Sequence, residues 1–161
     1  MSMTLPERLA ALPQDQWMTS PPATAAALTA LESKFAFQLP DDYRRLMLTT
    51  NGCGLYGHAT QLNLEPPDEL LWHNDDPRFV AGLPAMLVIG DDNGDALFYY
   101  DPTNHLGKGA WAIYMVDFAL IDFPHSKFAA AGLTALLEKI LAGEAIWEYP
   151  YLGPLEHPDR A

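Results

Sequence analysis

With 161 residues, 49% of them hydrophobic, the chain has the size and apolar content of one domain with its own core, which excludes wholesale disorder. A net charge of −12 disfavours nucleic acid and anionic membranes as partners and favours basic proteins. Cys53 is the only cysteine, which excludes an internal disulfide, and no apolar run reaches the ~18 residues of a membrane span.

The opening stretch MSMTLPERLAALPQDQW has no basic segment followed by an apolar one, so no signal peptide is read and a cytoplasmic location is expected. Leu5, Leu9 and Leu12 predict a short helix ending at Pro13. SPPATAAALTALESKF predicts a second, with Ser20 as cap, Pro21 in the first turn, and Leu28, Leu31 and Phe35 on one face. In LPDDYRRLMLTTNG, Pro40, Asp41 and Asp42 suit a positive helix N-terminus. Tyr43, Leu46 and Met47 form the buried stripe there, and Asn51-Gly52 stops the helix.

The middle of the chain reads as strands. HATQLNL alternates weakly, PPDELLWHND predicts one or two helical turns with an acidic outer side, and AMLVIG, DALFYYD and WAIYMVDF are rich in β-branched and aromatic residues. Phe128, Leu133, Leu136, Leu137, Ile140 and Leu141 keep a 3.6-residue period that Gly143 terminates. Helices first, strands in the middle and a helix last predict an α+β domain, its mainly antiparallel central sheet packed by helices on one side.

Acidic residues concentrate between Glu65 and Asp101, where nine stand against one basic residue, Arg78. Solubility accounts for such an excess as readily as a basic partner does. Within it, GDDNGDALFYYD raises the question of a metal loop, acid–base chemistry or a hairpin. Asn93-Gly94 between apolar strands predicts a two-residue type I′ turn, and Asp91 and Asp92 can accept backbone N–H groups there. A calcium loop starting at Asp91 would need glycine where Ala96 stands and glutamate where Pro102 stands. Solvated turn carboxylates keep ordinary pKa values, which disfavours acid–base work. The hairpin reading prevails.

Cys53 follows a helix C-terminus, whose negative end raises a thiol pKa, so it reads as a small buried filler. His58, His73, His105, His125 and His157 lack zinc-ligand spacing. Only His73 has carboxylates close by in sequence, and it reads as a surface residue; no metal and no cofactor is expected. HLGKGA at 105–110 lacks the spacing of a phosphate cradle and reads as a loop. The tail IWEYPYLGPLEHPDRA gathers Trp147, Tyr149, Tyr151 and three prolines, suited to packing on the domain or to docking a partner.

LESKFAFQLPDDYRRLMLTTNG, LVIGDDNGDALFYYD and the strand and helix that follow together resemble the SUKH superfamily, which includes yeast cell-wall-assembly regulators, Syd and many bacterial immunity proteins. Leu39, Pro40, Tyr43, Asn51 and Gly52 match the family's helix ends. Ile89, Gly90, Gly94, Asp95, Tyr99 and Asp101 match its hairpin, and Phe128 stands where the family places an aromatic at the start of its last helix. The resemblance covers roughly residues 20–142 of a single domain over 1–161, leaving 143–161 as an aromatic and proline-rich extension. Cys53 to Pro84 carries no family signature, and Trp111 comes earlier than the pattern expects.

The resemblance implies a non-enzymatic binding protein, most often an immunity protein that occludes the basic active-site surface of a cognate toxin, frequently a nuclease. The alternative is an intracellular scaffold or regulator of the same fold, and a small metal-dependent hydrolase is the reading from another class. Partner-binding candidates are Glu65, Asp68, Glu69, Trp72, Asp75, Asp76, Asp91, Asp92, Asp95 and Asp101, with no catalytic residue and no nucleic-acid or membrane partner.

Overall fold

Strand alternation organises the molecule. In the computed structural model, which describes residues 2–147, β-strands alternate between two apolar clusters, one on each face of a single sheet. The sheet has seven strands in sequence order, every neighbouring pair antiparallel. They are β1 (Trp17–Thr19), β2 (Cys53–Leu55), β3 (Leu62–Leu64), β4 (Leu87–Asp91), β5 (Ala96–Asp101), β6 (Ala112–Asp117) and β7 (Lys127–Ala130). Leu87, Ile89, Phe98, Tyr100, Ile113 and Met115 face the larger cluster, while Val88, Leu97, Tyr99, Tyr114 and Val116 face the smaller. β5 is buried on both sides, as its unbroken apolar run requires.

Helices α1 (Leu5–Ala10), α2 (Ala25–Phe35), α3 (Asp41–Met47), α4 (Pro67–His73) and α6 (Leu133–Leu141) put buried residues into the larger cluster. Leu133, Leu136, Leu137 and Ile140 form the inner face of α6, each worth about 1.5–3 kcal/mol relative to exposure. The smaller cluster lies beneath Phe79 and Leu83 of the α5 segment (Pro77–Gly82 and its cap) and Leu106, Ile121 and Phe123 of two loops. The expected α+β architecture with an antiparallel sheet is therefore present.

Several local expectations need correction. Thr24, not Ser20, caps α2, its hydroxyl accepting the Ala27 N–H at 3.1 Å. The preceding segment is held extended instead: Ser20 N–H donates to Thr50 Oγ1 at 2.9 Å, Asn51 N–H to the Pro21 carbonyl at 2.8 Å, and Ala23 N–H to the Met47 carbonyl at 2.9 Å. Phe128 lies on β7 rather than on the last helix, paired with Tyr114 and stacked edge-on against it. Strands β1 and β2 and helix α5 are too short for their periodicity to show in sequence.

The hairpin between β4 and β5 forms where expected, but not with the expected turn. Asn93 has positive φ (60°), while Gly94 is not among the residues in that region. Asn93, Gly94 and Asp95 make the connection, closed by the Asp92 N–H to the Ala96 carbonyl at 3.0 Å. The Asp92 carboxylate accepts the N–H groups of Gly94 and Ala96, both at 3.0 Å, and Asp91 accepts that of Asn93 at 2.8 Å. Side-chain carboxylates thus join the backbone in closing the turn.

Candidate functional site

The acidic stretch folds into one neighbourhood because β3, α4, α5 and the β4–β5 hairpin are consecutive. Leu64 pairs with Gly90, and the Glu65 N–H donates to the Ile89 carbonyl at 3.0 Å, so Glu65 leaves β3 beside the end of β4. A register shift between Val88 and Gly90 reverses the alternation at that point. Ile89 stays in the larger cluster, and Asp91 pairs with Leu97 of the smaller one, so the bulge moves its side chain to the opposite face. Glu65, Asp76 and Asp91 then line a cleft of about 340 Å³ with His73, Arg78, Val88, Leu97 and Phe118.

Much of the charge is engaged internally. Asp75 pairs with Lys34 at 2.8 Å, Asp76 with Arg78 at 2.8 Å, and Glu65 with His73 Nδ1. Burial pushes the Glu65 carboxyl above the usual range, the His73 contact opposes this, and Glu69 and Asp91 add to the rise. Hydrogen bonds from Arg78 hold Asp76 below its ordinary value. The Arg78 guanidinium also lies 4.6 Å from the Phe118 ring centroid, a cation–π contact at the rim. Trp72 is 60% exposed on α4, Val80 58% on α5 and Phe118 45% beyond β6, so apolar surface borders the carboxylates.

Of the candidates named from sequence, Glu65, Asp68, Glu69, Trp72, Asp75, Asp76 and Asp91 group around α4, α5 and the hairpin root. Asp92 and Asp95 sit in the turn, Asp92 occupied by backbone N–H groups. Asp101 is a correction. It is 0% exposed, and its carboxylate accepts the N–H groups of His105 and Leu106 at 2.9 and 2.8 Å, ordering the β5–β6 loop. A carboxylate consumed in that way presents no charge to a partner.

Cys53 is buried on β2, and burial pushes its thiol up to about 12, in keeping with a filler role. His105, and HLGKGA as a whole, lie in the loop between β5 and β6. Trp147 packs against the larger cluster; Tyr149, Tyr151, His157 and the rest of 148–161 lie outside the described residues. Among the described residues no helix is long and apolar enough to cross a membrane.

Sequence reasoning missed two features. Val80 and Phe118 border the acidic surface from helix α5, too short for its pattern to show in sequence, and from the residue just past β6, whose strand was legible but whose exit was not. Away from that acidic surface, an apolar groove of about 1050 Å³ runs between α1, β1, α3 and α6, lined by Leu5, Leu9, Trp17, Leu46, Leu48 and Leu137 among others. Its helical walls were legible as separate stripes, but β1 and the gap left between the walls were not.

No curated protein matches the chain. The sequence pattern of the SMI1 / KNR4 family (SUKH-1) matches residues 22–139, which takes in every element from α2 to β7 and most of α6. The chain belongs to the SMI1 / KNR4 family, SUKH-1.

Proposed function

We propose that this chain is a non-enzymatic, cytoplasmic protein-binding domain, an immunity protein that neutralises a cognate toxin by covering its basic active-site surface. The observation that carries this reading is the acidic surface of α4, α5 and the hairpin root, bordered by exposed Trp72, Val80 and Phe118. Carboxylates steer a cationic partner and fix its orientation, and a desolvated aromatic supplies binding energy at the centre. Family membership is in keeping with it, since this domain occurs in immunity and related proteins.

The test is co-expression with a toxin encoded immediately upstream, together with binding kinetics at graded salt. Protection is expected, with an association rate that falls steeply as salt rises and an affinity reduced about tenfold or more by Trp72→Ala. A chain that neither binds nor protects overturns the assignment.

The apolar groove between α1 and α6 favours a second reading, a scaffold or regulator that docks a partner there. Binding indifferent to salt and to Trp72→Ala, but lost in Leu48→Asp, would select it.

A further inference from the structure

Glu69 and His73 are four residues apart on α4, so their side chains lie one above the other on the same helix face. Glu65 reaches that face from the end of β3, where its backbone is tied to Ile89. One ligand atom from each of Glu65, Glu69 and His73 lies within 4.8 Å of the other two. We propose that these three side chains hold a divalent transition-metal ion of the zinc class.

The donor set supports that choice of metal. An imidazole nitrogen with two carboxylate oxygens suits zinc and its neighbours, whereas magnesium and calcium prefer oxygen alone. Metal–ligand bonds of about 2.0–2.2 Å set the donor spacing. The donors already lie within 4.8 Å of one another, with His73 Nδ1 in direct contact with Glu65, and rotation of the long glutamate side chains supplies the adjustment without moving the backbone.

The backbone is already positioned. Asn74, the next residue after His73, fastens the end of α4 to β4 through hydrogen bonds of 2.8 and 2.9 Å to Val88. Neighbouring cations do not compete for the site: Lys34 binds Asp75 and the Leu71 carbonyl, and Arg78 binds Asp76. With three protein ligands, positions stay open for water or for a donor group from another molecule. The proposal stands whether or not the same surface docks a toxin.

Titration calorimetry of the tag-free full chain with zinc chloride at neutral pH tests it, with cobalt absorption in the visible region reporting ligand geometry. One ion per chain is expected, with a charge-transfer-free tetrahedral or five-coordinate cobalt spectrum. His73→Ala and Glu69→Gln should each weaken binding at least about tenfold, while His125→Ala, which removes the remote His125–Asp122 pair, leaves it unchanged.

The absence of saturable binding up to about 1 mM zinc would overturn the proposal, as would binding that survives Glu69→Gln and His73→Ala but is lost in His125→Ala. Glu69→Gln decides the matter if His73→Ala fails to fold. Zinc should raise the melting temperature of the wild-type chain and not that of Glu69→Gln; an equal rise in both also counts against the site.

Discussion

The side-chain amide of Asn74 bonds both backbone groups of Val88, its Oδ1 accepting the N–H at 2.8 Å and its Nδ2 donating to the carbonyl at 2.9 Å. Strand β3 pairs with β4 at Asp91 and Gly90 and then turns away into α4. The amide therefore substitutes for the missing neighbour strand, and joins the helix carrying Trp72 and His73 to the sheet. Nδ2 also reaches the Leu70 carbonyl at 3.2 Å, so the buried amide is nearly satisfied.

Asn74→Ala strands a buried N–H and a buried carbonyl on Val88. We expect a loss of about 2–3 kcal/mol in urea unfolding. Asn74→Asp should fare no better, because it keeps the acceptor but places a carboxylate against the Val88 carbonyl. A loss below about 0.5 kcal/mol for both would mean that water replaces the amide.

Gly90 marks a second joint of the same surface. A Cβ there would overlap the Asn63 carbonyl on β3, an unyielding backbone atom. Gly90→Ala should therefore separate β3 from β4 and cost at least about 2 kcal/mol, read as a lower urea midpoint. Faster hydrogen exchange at Glu65, whose N–H donates to Ile89, should accompany it. A midpoint equal to the wild type would show that the strands can part without penalty.

The residues that were legible beforehand are those whose side chains repeat along an element. Leu133, Leu136, Leu137 and Ile140 declare α6, and the unbroken run of Leu97, Phe98, Tyr99 and Tyr100 declares the strand β5, which the structure buries on both faces. The hairpin was legible from Asn93-Gly94, but its closure was not, because Asp92 competes with the backbone for the N–H groups of Gly94 and Ala96. The acidic candidates were visible only as composition. Sequence could not tell Asp101, wholly buried and bonded to two N–H groups, from Asp91, which a bulge moves to the cleft. That distinction depends on strand register, and one extra residue in β4 sets it.

Cys53 offers a reporter for the core around β2. With its thiol buried and pushed up to about 12, the native protein should resist a thiol-specific disulfide reagent at pH 8. Its rate should lie at least about a thousandfold below that of the urea-unfolded chain and rise with denaturant as unfolding does. Prompt labelling in native buffer would show that β1 or β2 opens locally, or that the thiol is activated after all.

Asp92 gives a pH dependence with a defined sign. Burial raises its carboxyl above the ordinary value of 3.8, outweighing the backbone N–H groups of Ala96 and Gly94 that favour the charged form. In the interval between 3.8 and the raised value, the folded chain holds more of this proton than the unfolded chain does. The stabilisation from this group is complete below the unfolded value and is lost as pH climbs through the folded one. Asp92→Asn keeps an oxygen to accept the same N–H groups and removes the titration. The stability of Asp92→Asn relative to wild type should therefore rise as pH climbs from the ordinary value of 3.8 through the raised one, measured by urea unfolding at each pH. The opposite trend would mean that the turn's N–H groups stabilise the carboxylate more than burial opposes it.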